Sequence, residues 1–171
     1  YFALSNEWPW GLMEFIRLAK IKNLPLVCTL QNSYSLINRI VELGMTEIFF
    51  REKLSFFSYS PLGFGHLSGK YLKDPRAAGR INLFPGYAQR YNKSGVEKAI
   101  EKYDALAAKR NLSLTDLALS FVYSQWFVTS TVIGATNIKQ LKQNIAAYGL
   151  DIVDEELIQE IDAIHLDVMN P

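Results

Sequence analysis

A short apolar strand followed by an amphipathic helix recurs four times in this chain, and that alternation restricts it to an α/β fold. Strands are expected over residues 1–5, 26–31, 54–59 and 130–133. Helices are expected over 8–22, 39–52, 96–110, 114–125, 137–147 and 154–164. In the first helix Leu12, Phe15, Ile16 and Ala19 recur at helical spacing and make one buried face. Pro9 fits its first turn, where no N–H partner is lost. Gly44 is expected to interrupt the second helix. Ser113 is placed to cap the helix at 114, and Asp154, Glu155 and Glu156 put negative charge at the start of the last one. Leu117, Phe121, Val122, Leu157 and Ile161 form apolar stripes that belong to a core.

Residues 1–5 read as a strand buried on both faces, which requires neighbours on either side. The chain opens inside that strand without an initiating Met, so the expectation is the C-terminal portion of a longer protein. Residues 60–93 are too long for an ordinary βα loop and are expected to form a lid or binding loop.

The 171 residues suffice for one core but not for two full domains. With 49% hydrophobic and 20% charged residues the chain is of ordinary globular composition. A net charge of +1 gives no reason to expect nucleic acid or an acidic membrane surface as a partner. The single cysteine, Cys28, cannot form an internal disulfide, and a cytoplasmic setting is expected. No apolar run reaches the length of a membrane span, and no metal-ligand cluster is expected.

Two strand ends carry candidate chemistry. Thr131 to Asn144 reads as a buried strand, a small-residue turn at Gly134 and Ala135, and a helix start. Such a start gathers unpaired N–H groups and the positive end of the dipole, so it favours an anion such as a phosphate. Gln140 and Asn144, four residues apart, share a helix face. Local pattern alone leaves a plain βα turn equally open. Leu54 to Tyr71 is a second apolar strand, ending in Tyr59 and opening into a Gly-rich loop that carries Lys70.

Taken in order, four motifs resemble the aldo-keto reductases. They are Ser5-Asn6 after the first strand, Gln31-Asn32 after the second, Tyr59-Ser60-Pro61-Leu62-Gly63 after the third, and Gly134-Ala135-Thr136 with Gln140, Leu141 and Asn144 after the fourth. The nearest resemblance is to the bacterial Tas-like group, with potassium-channel β subunits more distant. It covers nearly the whole chain. It implies the C-terminal half of a TIM (β/α)8 barrel, strands five to eight with their helices, so that residues 1–171 are a partial barrel domain whose N-terminal half is absent.

The resemblance further implies hydride transfer between a nicotinamide cofactor and a small carbonyl substrate. The family's catalytic Tyr, Lys, Asp and His would lie upstream of Tyr1, so no catalytic residue is assigned. Ser5, Asn6 and Gln31 match the residues that hold the nicotinamide carboxamide, although Ser5-Asn6 could equally cap the next helix. Tyr59 matches the aromatic that stacks on the ring. Ser60, Pro61, Leu62 and Gly65 match the pyrophosphate loop, and Lys70 and Arg80 match two cations that pair with cofactor phosphates.

Gly134, Thr136, Gln140, Gln143 and Asn144 match contacts to the adenosine end. Gln140 stands where many members carry an arginine for the 2′-phosphate; NADP is expected, with NAD as the alternative. His66 is expected at the surface, and His165 at the surface or packed in the tail. Trp8 and Trp10 are expected either to line the carbonyl pocket or to fold onto the helix. The rival readings are a nucleotide-sensing regulatory subunit of the channel-β kind and an inactive truncated copy.

Overall fold

The computed structural model describes residues 1–84, 86, 89–91 and 93–170. Its strands are β1 (Phe2–Ser5), β2 (Val27–Ser33), β3 (Ser55–Tyr59) and β4 (Ser130–Val132). The principal helices are α1 (Pro9–Lys22), α2 (Met45–Glu52), α3 (Ser94–Lys109), α4 (Leu114–Ser124), α5 (Ile138–Ala146) and α6 (Glu155–Asp167). The strands form one four-stranded sheet in the order β1-β2-β3-β4, every pair parallel. This is the sequential parallel α/β arrangement of a piece of a (β/α)8 barrel.

Local chemistry sets the boundaries. Pro9 opens α1, and Asn23, at φ 50°, ends it in the left-handed region that asparagine tolerates. Gly44, at φ 121°, separates a 3-10 turn at Ile40–Glu42 from α2, so the expected interruption is present. The side chains of Ser113, Asn137 and Asp154 each accept from a backbone amide three residues on, capping α4, α5 and α6. The segment 60–93 is not one open loop. It holds a 3-10 stretch at Gly63–Ser68 and helical turns at Lys70–Lys73, Arg80–Leu83 and Gln89–Tyr91.

The pleat sends alternate residues to opposite faces. Leu30 and Phe56 are paired neighbours on the face that packs against the helices, both 0% exposed. There Tyr34, Phe49, Phe56 and Phe127 meet ring to ring, with Phe49 stacked on Phe56 at 5.0 Å. Leu117, Phe121, Val122, Leu157 and Ile161 join the same core, each buried to within 1%. The other face carries Ala3, Ser5, Thr29, Gln31, Phe57 and Tyr59, and none of these is fully buried.

The β1 edge differs from the interior of the sheet. Among the described residues β1 pairs with β2 on one side, and on the other, where the expected second neighbour would lie, Phe2 is 43% exposed. Phe15, expected on the buried face of α1, is 42% exposed and lies against Phe2, with ring centroids 6.4 Å apart. Both residues lie at the border where no described element adds a further layer, so helical spacing alone could not bury them.

Candidate functional site

The parallel ladder places the C-terminal ends of the strands together. Ser5 is paired with Gln31, Ser33 with Tyr59, and Tyr59 with Val132, so Gly134 follows two residues beyond that line. Asn6, at φ 60°, donates its backbone N–H to the Gln31 carbonyl at 2.9 Å and its Nδ2 to Ser5 Oγ at 3.1 Å. The Tyr59 hydroxyl donates to Asn6 Oδ1 at 2.6 Å. Adjacent strands are ~4.8 Å apart, so this bond makes Tyr59 reach roughly 10 Å from β3 across β2 to the end of β1. The ring is thereby held across the end of β2, with its hydroxyl at Asn6.

The loop after β3 folds through left-handed backbone. Ser60, Gly63, Phe64 and Gly65 have φ of 55°, 53°, 57° and 98°. Gly63 also lies where a Cβ would sit 2.7 Å from Ile37 Cδ1, so its bare backbone seats the loop on the core. Pro61 is buried there, and Leu62 packs partly buried on the core. Gly65 lies beside Lys70 and Tyr71, so the Gly-rich turn and the lysine are brought together.

Lys70 Nζ donates to the Ala78 carbonyl at 3.0 Å and lies 4.8 Å from the Tyr71 ring centroid. That ties Lys70 to the stretch immediately before Arg80, which is exposed. His66 is a correction. It is half-buried against Tyr71 and Tyr91, its Nε2 is buried without a partner, and burial lowers its pKa. His165 packs into the tail with a buried, unpartnered Nδ1.

The turn after β4 differs from a simple open helix start. Asn137 Oδ1 accepts from the Gln140 amide at 2.9 Å. Gln140 then reaches back, its Oε1 accepting from the Thr136 amide at 2.8 Å and the Thr136 hydroxyl at 2.9 Å. Asn144, 3% exposed, donates to the Gly134 carbonyl at 3.1 Å. Gln140 and Asn144 do share a face, and both use it to brace the 134–136 turn. Gln143 donates through Nε2 to Ser113 and Asp116 at 3.1 and 3.2 Å, which orients its carbonyl oxygen as the remaining acceptor. Nothing lies within 4 Å of a Cβ built on Gly134, so the space beside the turn is open.

Of Asn32, Ser33, Asn38 and Arg90, sequence reasoning quoted Asn32 alone, as part of a motif and with no role of its own. With Asn6 and Trp8 they line a cleft of about 500 Å³ next to the ends of β1 and β2. Asn32 was visible as the second residue of the Gln31-Asn32 motif; Arg90 carried no local signal. Trp8 lines this cleft, whereas Trp10 is 80% exposed. Among the described residues no helix is long and apolar enough to cross a membrane.

A parallel sheet whose strand ends gather amides, an aromatic and a Gly-rich basic loop has the architecture of a partial (β/α)8 barrel. The sequence model of the aldo/keto reductase family matches residues 1–165, and the chain belongs to that family. Protein tas of Escherichia coli K12 is 40% identical over 96% of this chain and 47% of its own length. An aldo-keto reductase of Babesia bovis is 37% identical over 96% of this chain and 60% of its own. A probable voltage-gated potassium channel subunit beta of rice is 26% identical over 91% of this chain and 51% of its own. The chain thus spans about half the length of the curated relatives it matches.

Proposed function

We propose that residues 1–171 are the cofactor-binding half of an NADP(H)-dependent aldo-keto reductase barrel, whose intact form reduces aldehydes or ketones in the cytoplasm. The observation that supports this reading is the bond from Tyr59 to Asn6 across β2, which joins the aromatic to the strand ends where Ser5 and Gln31 are paired. That donor set suits a nicotinamide: neutral amide and hydroxyl groups for a carboxamide, and a flat ring for stacking. Lys70 and Arg80 would meet the phosphates, with Ser60, Pro61, Leu62 and Gly65 between them and the ring. Gly134, Thr136, Gln140, Gln143 and Asn144 would border the adenosine end, Gly134 by leaving room and Gln143 through its free carbonyl oxygen.

When bound, the reduced nicotinamide supplies a hydride to a carbonyl carbon. The chain's own residues hold and orient it; the family's catalytic quartet is assigned to strands outside residues 1–171.

Titrating NADPH and NADH against the chain is expected to quench tryptophan fluorescence, with the tighter midpoint for NADPH. The chain by itself is expected to show no sustained NADPH oxidation with an aldehyde; turnover would overturn the assignment of the quartet. Gly134→Ala offers a sharper check. No atom opposes the added methyl and φ there is not positive, so stability should change by less than about 0.5 kcal/mol. A methyl in the cofactor's path should nonetheless weaken NADPH binding by roughly 1 kcal/mol, about fivefold. Unchanged affinity would move the adenosine away from this turn.

The relative named as a potassium channel subunit supports a second reading, a nucleotide-sensing regulatory subunit. An intact catalytic quartet in the full-length protein would favour the reductase; its absence would favour the sensor, or an inactive copy if the chain also unfolds at low temperature.

A further inference from the structure

The cleft beside Asn6 has two unlike walls. Its apolar side presents Ile40 and Leu43, 40% and 68% exposed, over the buried Ile37, Val41 and Met45. Trp8, 64% exposed, stands at its lip. The opposite wall is polar and basic, with Asn32, Asn38, Arg90 and Lys93. Glu7 is the one acid among the described lining residues, and its carboxylate is already engaged at the start of α1, accepting from the Trp8 amide at 2.9 Å. Net charge within the cleft is therefore positive.

Among the described residues Arg90 makes two weak contacts over the cleft, one through a single nitrogen of its fork and one through its face. Nη1 lies 3.3 Å from Ser33 Oγ, and the guanidinium carbon is 5.9 Å from the Phe64 ring centroid. On the same wall Asn32 donates its Nδ2 to the Glu7 carbonyl at 2.9 Å, and its Oδ1 is buried with no partner. A carboxylate offers that acceptor no proton, so its donor has to be a water.

We propose that this cleft binds the acidic end and apolar body of an amphipathic carboxylic acid, and so selects carbonyl substrates that carry a carboxylate. An apolar side with one forked cation on the opposite wall fits a ring or short chain ending in a carboxylate, which a guanidinium can grip through two parallel bonds. The volume of about 500 Å³ is ample for a substituted benzene ring. Asn6 belongs both to this cleft and to the Tyr59 bond, so a molecule seated here lies next to the proposed nicotinamide position. The selection of substrate thus rests on the reductase reading; the binding of the acid does not.

The test is calorimetric titration of the 171-residue chain with 4-formylbenzoate and with its neutral isostere methyl 4-formylbenzoate, beside a separate titration with NADPH. The acid should bind at least about tenfold more tightly than the ester. Arg90→Gln should remove that preference and leave the NADPH midpoint unchanged, since Arg90 is not among the assigned cofactor contacts. Arg90 is exposed, so the variant should keep the circular dichroism spectrum of the parent.

Equal affinity for acid and ester, no binding of either, or a preference that survives in Arg90→Gln would overturn the acid site even if NADPH binds. Selective acid binding without any NADPH binding would leave the site standing and remove the reductase reading. Leu43→Ser, which makes the exposed apolar side polar, should weaken acid and ester alike and so separate the apolar contact from the charge.

Discussion

Replacing Arg39 by alanine is expected to cost about 3–5 kcal/mol of folding stability, far more than an ordinary arginine substitution. The residue is 9% exposed and stands between three elements. Its Nε and Nη2 form a two-pronged grip on Glu42, both at 2.8 Å, and Nη1 bonds Asp162 of α6 at 2.7 Å. Its backbone N–H bonds the Asn170 side chain at 2.7 Å, and the guanidinium lies 5.2 Å from the Phe121 ring centroid. Glu42 also accepts from the Tyr34 hydroxyl. Burial, reinforced by the Glu42 charge, pushes the Tyr34 pKa far up, so that phenol stays a donor.

Removing Arg39 would leave Glu42 and Asp162 facing each other's region without a cation, and the C-terminal helix without its tie to the β2–α2 connection. Arg39→Lys keeps the charge but loses the fork, so it should fall between alanine and the parent. Urea denaturation of the three proteins checks this. A loss below about 1 kcal/mol for alanine would show that solvent screens the network as it does a surface pair.

Phe56→Ala should be of similar size, about 3–5 kcal/mol, for an unrelated reason. Phe56 is 0% exposed on the central strand β3 and carries no polar atom in its side chain. Its ring stacks on Phe49 at 5.0 Å and meets Phe127 at 5.9 Å and Tyr34 at 6.4 Å. Alanine would leave a cavity walled by three rings anchored on different elements, which cannot close together without unseating the sheet from its helices. Phe56→Leu keeps most of the volume and should cost less than half as much. A thermal midpoint for Phe56→Ala within a few degrees of the parent would mean that the cluster collapses to fill the gap.

These two positions mark the limit of what was legible in the chain. Phe56 was readable as a core residue, because it lies in an apolar strand bounded by turn signals. Arg39 was not: it looks like a surface residue near a helix start, and its burial depends on Asp162, 123 residues further on. The caps at Ser113 and Asp154 were visible because they act within one helical turn. Gln140 was visible as part of a motif, but its reach back to Thr136 was not, since the sequence does not say which rotamer a polar side chain adopts. His66 resembled a loop histidine until Tyr71 and Tyr91 were found packed against it. For the candidate site, the motifs picked out Ser5, Asn6, Gln31 and Tyr59 separately, and only the parallel register brought the Asn6 backbone onto Gln31 and the Tyr59 hydroxyl onto the Asn6 side chain.

The sequence alone determined the α/β alternation, the helix starts and stops, and the order of the four motifs, because each of these depends on residues within a turn or a strand of one another. Tertiary structure decided which apolar residues stayed exposed at the β1 edge, which charges were buried, and how the cleft beside Asn6 acquired Arg90. Those outcomes depend on contacts between segments tens of residues apart, where the favourable partner is specified by packing and not by local spacing.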